Sequence, residues 1–184
     1  CQGACSTNAR PCILRRGGNR SRVSDSRIPP PDGLTRKEEM AVAGTSLSRI
    51  LEITDKLFPF TAAEPWDNCG IQIGDPDRTI HAIAFSLDPT PETVAFAVQH
   101  ECDLLICHHP LLLEPIRNLT PENITGETLL AAARSGVDIV SLHTNLDAAQ
   151  GGLNDRLAAV LHLEDVVVPS PATCARFGRL SARS

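Results

Sequence analysis

Cys107-His108-His109-Pro110 follows directly on the apolar run Asp103-Leu104-Leu105-Ile106. A second apolar run, Val137-Asp138-Ile139-Val140-Ser141-Leu142, ends in His143-Thr144-Asn145-Leu146-Asp147. Both runs read as short buried strands. Each delivers imidazole or carboxylate groups at its carboxyl end, where ligands bind in open α/β sheets. Neutral imidazole together with carboxylate suits a borderline or moderately hard divalent ion such as Zn, Mn or Fe. Side chains alternate along a strand, so the consecutive His108 and His109 are expected to face different ions rather than chelate one. A two-metal centre is the natural reading of that pair. His81, His100 and His162 have no such neighbours and read as structural. His81 opens a strand, and the other two lie late in helices, where the helix dipole favours a cation. Cys107 ends a buried strand and reads as a reduced core thiol, although a soft metal could recruit it.

The elements that must position these groups are set by composition and period. A chain of 184 residues is ample for one domain with a real core. One Trp, five Phe and no Tyr leave that core aliphatic and offer little for base stacking on single-stranded nucleic acid. No apolar run reaches the length a membrane span needs. The net charge of −5 is unevenly spread: residues 1–39 hold eight basic against four acidic residues, and the remainder nine against eighteen. An acidic body makes nucleic acid an unlikely partner. Seven cysteines, an odd number, do not describe a disulfide framework.

Residues 1–39 show no helix or strand period, are rich in Arg, Ser, Gly and Pro, and are expected to be a disordered basic extension. Three accounts fit them: an organellar targeting segment, a basic nucleic-acid-binding arm, or translated sequence upstream of the true start. The only methionine, Met40, stands just before the first periodic segment and favours the last account, in which the extension is no part of the mature protein. From residue 40 to 184 the pattern is orderly. Ser46 caps a helix with Leu47, Ile50, Leu51, Thr54 and Leu57 on one face, ending before Pro59. Asp67-Asn68 and the glycines around Ile71-Gln72-Ile73 demand turns on either side of a short strand. Ile80–Leu87 alternates as a strand, and a helix runs from Pro91 to about Glu101. Gly126–Ser135 is helical, with Gly136 in the C′ role. Leu153, Leu157, Val160 and Leu161 fall on one side of a further helix, and Val166-Val167-Val168 reads as a strand. Strand and helix alternate, which predicts an α/β domain with a mixed, largely parallel sheet, flanking helices and right-handed crossovers.

Three blocks of residues resemble one family. They are Glu64-x-Trp66-Asp67-Asn68-x-Gly70-x-Gln72-x-Gly74, then Leu105-Ile106-Cys107-His108-His109-Pro110-Leu111, then His143-Thr144-Asn145-Leu146-Asp147 with Gly151-Gly152-x-Asn154-Asp155. In order and spacing they are similar to the signature blocks of the GTP cyclohydrolase 1 type 2 homologue family, the NIF-three-like dinuclear metal centre proteins. The resemblance covers roughly Leu47 to Leu180. It implies a two-part α/β fold of which this chain holds the first half, a homo-hexamer, a cytoplasmic location, two divalent metal ions and a possible nucleotide substrate. Carried over by position, His108, His109 and Asp147 match metal ligands. The family's His-x-x-x-Glu pair near the C-terminus has no match here, so a C-terminally truncated member is expected, one in which occupancy of the second metal position and any activity are both in question. Three protein ligands shared between two positions then leave at least one ion with a single imidazole, and about one weakly held ion per chain is expected.

Other residues of these blocks have readings of their own. Glu64, Asp67, Asn68 and Asn145 are polar groups near the presumed site, suited to hydrogen bonds that orient ligands. For Asp67-Asn68 the plain reading, that they make the turn, stands beside it. Trp66 reads as a packing anchor for its loop. Gly151 and Gly152, before a helix, could present N–H groups to a substrate phosphate, although glycine before a helix start is common. No catalytic group is singled out. The leading functional expectation is a metal-dependent hydrolase that opens the guanine ring of GTP. The alternative is a non-catalytic metal-binding adaptor or regulatory protein.

Overall fold

A computed structural model describes residues 12–14, 44–170 and 173–180. Within the basic segment, Cys12–Leu14 forms β1, where the sequence shows no strand period. Its register is antiparallel on a later strand, Leu14 opposite Ile83. An edge pairing of this kind rests on main-chain hydrogen bonds and needs no side-chain pattern. The rest of the expected extension lies outside the described residues.

Thr45–Ser46 forms β2, and α1 spans Leu47–Leu57. Ser46 caps α1 as expected, its hydroxyl accepting the Arg49 N–H at 3.2 Å. Leu47 and Ile50 are buried, while Leu57 at the far end of the expected face is exposed. A single 3-10 turn, Phe60–Ala62, leads into the site loop and then β3, Gly70–Ile73. Gly70 enters that strand with φ +99°, a conformation that favours glycine.

The expected Ile80–Leu87 strand is two pieces, β4 (Thr79–Ile80) and β5 (Ile83–Ser86). The break has a local cause. Asp103 Oδ2 accepts the backbone N–H groups of His81 at 2.7 Å and Ala82 at 3.2 Å, taking donors that a continuous ladder would use. Helix α2 spans Pro91–Gln99, β6 Leu104–Cys107, α3 Ile124–Ser135 and β7 Asp138–Ser141. Gly136 closes α3 at φ +67°, in the expected left-handed position.

The main sheet has the order β1-β5-β6-β7-β3, with β5, β6 and β7 parallel and both edges antiparallel. It is the mixed, largely parallel sheet that the alternation of elements predicts. Every residue of β6 and β7 is buried, because both faces are covered. Leu105, Cys107 and Ile139 pack with Val94 and Ala97 of α2 and Leu129 and Ala132 of α3 on one face. Leu104, Ile106 and Val140 pack with Leu47 and Ile50 of α1 on the other. This two-sided core fixes where the ends of β5, β6 and β7 emerge, and the polar residues follow at those ends.

After β7 the chain turns into α4 (Thr144–Ala148), α5 (Leu153–Val160) and a separate antiparallel pair, β8 (Leu163–Val167) with β9 (Phe177–Leu180). Leu153, Leu157, Val160 and Leu161 are exposed, contrary to what their spacing leads one to expect. Helix α5 packs on α4 and β8 rather than on the main sheet, and Ala158 is its buried residue. Arg176, just ahead of β9, ties this part down: it pairs with Asp155 and donates to the carbonyls of Ala148 at 2.9 Å and Ala149 at 3.3 Å. No helix among the described residues is long and apolar enough to cross a membrane.

Candidate metal centre

His108 and His109 lie just past the end of β6, and His143 just past the end of β7. One ligand nitrogen from each of the three falls within 4.8 Å of the others. The strand-alternation argument therefore does not separate His108 from His109. The strand has ended at Cys107, and in the bend beyond it both imidazoles turn the same way, ring centroids 5.1 Å apart. The alternating pleat on which separate ions were expected is absent where it would be needed.

Each imidazole is held by its Nδ1. His108 Nδ1 donates to the Leu142 carbonyl at 3.0 Å, His109 Nδ1 to Asp88 Oδ1 at 2.6 Å, and His143 Nδ1 to Asp67 Oδ1 at 2.9 Å. A carbonyl or carboxylate oxygen can only accept, so the proton of each neutral ring sits on Nδ1 and the Nε2 lone pair is left free. An imidazole fixed in this way by an oxygen behind it is the usual arrangement of a metal-ligating histidine. Burial, the largest influence on His108, pulls its pKa below the ordinary histidine value. His109 and His143 act in the same direction and Asp147 opposes them. The neutral, ligating form is thereby favoured.

Asp147, on α4, brings a carboxylate oxygen to 3.7 Å from His108 Nε2. That oxygen, Oδ1, is buried and has no hydrogen-bond partner among the described residues. A buried carboxylate oxygen left unpaired is costly unless a cation satisfies it. Three imidazoles with free Nε2 atoms and one unsatisfied carboxylate are a donor set that fits a divalent ion.

Behind this set lies Asp67, whose side chain is fully covered. Its Oδ1 accepts from His143 and from the Asn68 N–H at 2.8 Å. Its Oδ2 accepts from the Thr144 N–H at 3.0 Å, the Thr144 hydroxyl and the Cys69 thiol at 3.1 Å. Burial alone would raise the Asp67 pKa, but the bonds from Thr144, His143 and Cys69 outweigh it and hold the carboxyl far below the usual range. The same carboxylate caps α4, whose N-cap residue His143 makes no side-chain cap of its own.

The remaining expected site residues sit as follows. Asn68 donates its side-chain amide to the Leu112 carbonyl at 2.7 Å, tying its loop to the segment after His109. Glu64 reaches the site through its backbone N–H, which donates to Thr144 Oγ1 at 2.9 Å. Asn145 is fully buried and donates to the Phe58 carbonyl at 2.9 Å, anchoring α4 against the end of α1. Gly151 and Gly152 have their N–H groups engaged, on Asp155 Oδ2 at 2.6 Å and the Ala149 carbonyl at 3.0 Å. A Cβ on Gly152 would stand 2.0 Å from the Leu146 carbonyl oxygen, so close packing accounts for that glycine. Trp66 is 60% exposed and is no packing anchor. Cys107 is buried against Ser86 Oγ at 3.2 Å, and burial pushes its thiol up to about 12, as befits a reduced core thiol.

Three residues complete the set that the resemblance carries over. His143 is offered by the sequence as a strand-end imidazole but is not among the ligands matched by position. Thr144 carries no signal of its own. Asp88 was legible in principle, because it lies beyond β5, the parallel neighbour of β6, on the same side of the sheet.

The sequence profile of Duf34/NIF3 (NGG1p interacting factor 3) matches residues 45–183. A GTP cyclohydrolase 1 type 2 homolog from Streptomyces coelicolor is 35% identical over 128 residues, covering 68% of this chain and 45% of that protein. One from Methanocaldococcus jannaschii is 36% identical over 132 residues, covering 71% and 52%. Among solved structures, reduced HcgD from Methanocaldococcus jannaschii superposes with a TM-score of 0.63 at 34% identity, covering 68% of this chain and 50% of that one. The Bacillus cereus protein related to NIF3 does so with a TM-score of 0.66 at 29% identity, covering 69% and 35%. The chain thus spans about half, or less, of the length of these relatives.

Proposed function

The chain belongs to the Duf34/NIF3 family, and from that premise we propose that it binds a divalent metal ion through His108, His109, His143 and Asp147. The observation that carries this reading is the convergence of three Nδ1-anchored imidazoles beside a buried carboxylate oxygen that has no hydrogen-bond partner among the described residues. His143 adds a fourth donor to the three carried over by resemblance. Four protein donors satisfy one borderline ion such as Zn, Mn or Fe. The two-ion centre implied by the resemblance needs donors beyond these four.

We further propose that the loaded site belongs to a metal-dependent hydrolase acting on a nucleotide, with opening of the guanine ring of GTP as the reaction to test. Relatives named GTP cyclohydrolase 1 type 2 homolog support that choice. A bound divalent ion would supply Lewis acidity and lower the pKa of a water at neutral pH. The chain's own part is to aim three imidazoles, through Leu142, Asp88 and Asp67, and to set the Asp147 carboxylate beside them. The N–H groups of Gly151 and Gly152 are already spent, so phosphate recognition falls to other groups. The alternative is a metal-binding adaptor or regulator without turnover.

Elemental analysis after gel filtration tests the first proposal, with about one tightly held divalent ion per chain expected and a marked loss in His143→Ala. A metal-free protein that takes up no Zn, Mn or Fe would refute it. Incubation of the loaded protein with GTP tests the second, with formate and a ring-opened product expected above a His108→Ala control. Stoichiometric metal without turnover would favour the adaptor.

A further inference from the structure

Thr144 joins the two loops of the site at one point. Its hydroxyl oxygen accepts the Glu64 backbone N–H at 2.9 Å. Having accepted from Glu64, the hydroxyl has its own hydrogen to give, and that hydrogen goes to Asp67 Oδ2. The Thr144 backbone N–H donates to the same oxygen at 3.0 Å. Thr144 is itself buried, so neither bond competes with water. Two donors from one residue, with the Cys69 thiol as a third, fix the plane of the Asp67 carboxylate. Once that plane is fixed, the direction of Oδ1 is fixed, and Oδ1 is the atom that holds His143 Nδ1.

We propose that Thr144 is a positioning residue for His143, acting through Asp67 to hold the ring in its Nδ1–H form and aim Nε2 into the cluster. The proposal rests on the metal-binding reading only in what the aimed nitrogen is for. Chain order makes the device economical: Thr144 follows His143 directly, so ring and hydroxyl meet the one Asp67 carboxylate from adjacent positions. His108 is an internal control, because its Nδ1 is held by a backbone carbonyl with no part in this relay.

Thr144→Val keeps the shape and the backbone N–H bond but removes the hydroxyl. It leaves the Glu64 N–H without its acceptor and Asp67 Oδ2 with one donor fewer. In nitrogen-15 spectra of the metal-free full chain, the His143 ring is expected to be a single Nδ1–H form in the wild type and a mixture in Thr144→Val. His108 should be unchanged in both. Cobalt affinity should fall about tenfold in Thr144→Val, the scale seen when a group behind a ligand is lost. Thr144→Ser, which restores the hydroxyl, should recover both readouts. A folded Thr144→Val chain with an unaltered His143 ring and unaltered cobalt affinity overturns the proposal. Should that variant fail to fold, the wild type decides: a His143 ring exchanging freely between its two neutral forms overturns the proposal, and a fixed Nδ1–H beside an observable Thr144 hydroxyl proton supports it. A wild type with a fixed His143 that takes up no cobalt would instead remove the metal reading and leave the role of Thr144 standing.

Discussion

Trp66 meets His143 edge-on, their ring centroids 6.0 Å apart and their planes at 76°, while the indole stays 60% exposed. It is the only tryptophan in the chain. Tryptophan emission therefore comes from a single position beside the histidine cluster. Addition of cobalt to the metal-free protein is expected to quench most of that emission, saturating at the stoichiometry found by elemental analysis. His143→Ala should abolish the response, and Trp66→Phe should bind cobalt as the wild type does. A cobalt-loaded protein with undiminished fluorescence would place the ion elsewhere.

The proposed metal role of Asp147 sets affinity against stability. The Asp147 Oδ1 is buried and without a hydrogen bond among the described residues, a state that costs free energy. Asp147→Ala is expected to leave the metal-free protein as stable as the wild type, or about 1 kcal/mol more stable, while lowering metal content sharply. Leu105→Asp, at a fully buried core position, should instead unfold the chain, since an unpaired buried charge takes a large part of a total stability of roughly 5–15 kcal/mol. Thermal melts with and without chelator check both. An Asp147→Ala chain that melts well below the metal-free wild type would mean that the carboxylate is structural.

The parallel core was legible because β6 and β7 are buried on both faces and lie within short, mostly apolar runs of the right length, residues 103–107 and 137–142. The caps were legible too, since Ser46 and Gly136 act within their own helices. What escaped the sequence depends on pairs far apart in the chain. The break at His81-Ala82 is made by Asp103, and the anchor of His143 by Asp67, 76 residues away. Pleat alternation gives no ground for sending His108 and His109 to different ions, because it holds only while the strand lasts and β6 ends at Cys107. Trp66 reads from the sequence as the packing anchor of its loop, but the loop is pinned through Asp67 and Asn68 and leaves Trp66 largely exposed.

Asp67 makes the fold sensitive to acid. Its folded pKa lies below its unfolded value of about 3.9. The native state therefore binds the proton less readily than the unfolded chain does. The stabilisation is fully present above the unfolded value and is lost as the pH falls through the folded one. Its size is on the order of 2 kcal/mol. Asp67→Asn faces a misplaced amide N–H toward donors at every pH and should be destabilised at neutrality. The gap to the wild type should narrow as the pH drops from 5 toward 2, and urea titrations across that range read it directly. A gap that stays constant would show that Asp67 is not the titrating group.

Gly151 and Gly152 separate a packing role from a phosphate role. A Cβ on Gly152 would meet the Leu146 carbonyl oxygen at 2.0 Å and the Ala149 carbonyl oxygen at 2.8 Å, both backbone atoms that cannot swing aside. Gly152→Ala is expected to cost roughly 3 kcal/mol by overpacking. It should also weaken metal binding, because Leu146 is the chain neighbour of Asp147. Gly151 has open space around its Cβ position and only a φ of +72° to satisfy, so Gly151→Ala should cost about 1 kcal/mol and leave metal binding alone. Urea unfolding ranks the two, and cobalt titration of each folded variant reads the site. If both variants kept wild-type stability and metal affinity but lost affinity for inorganic phosphate or GTP, the glycines would serve a substrate and the packing account would fall.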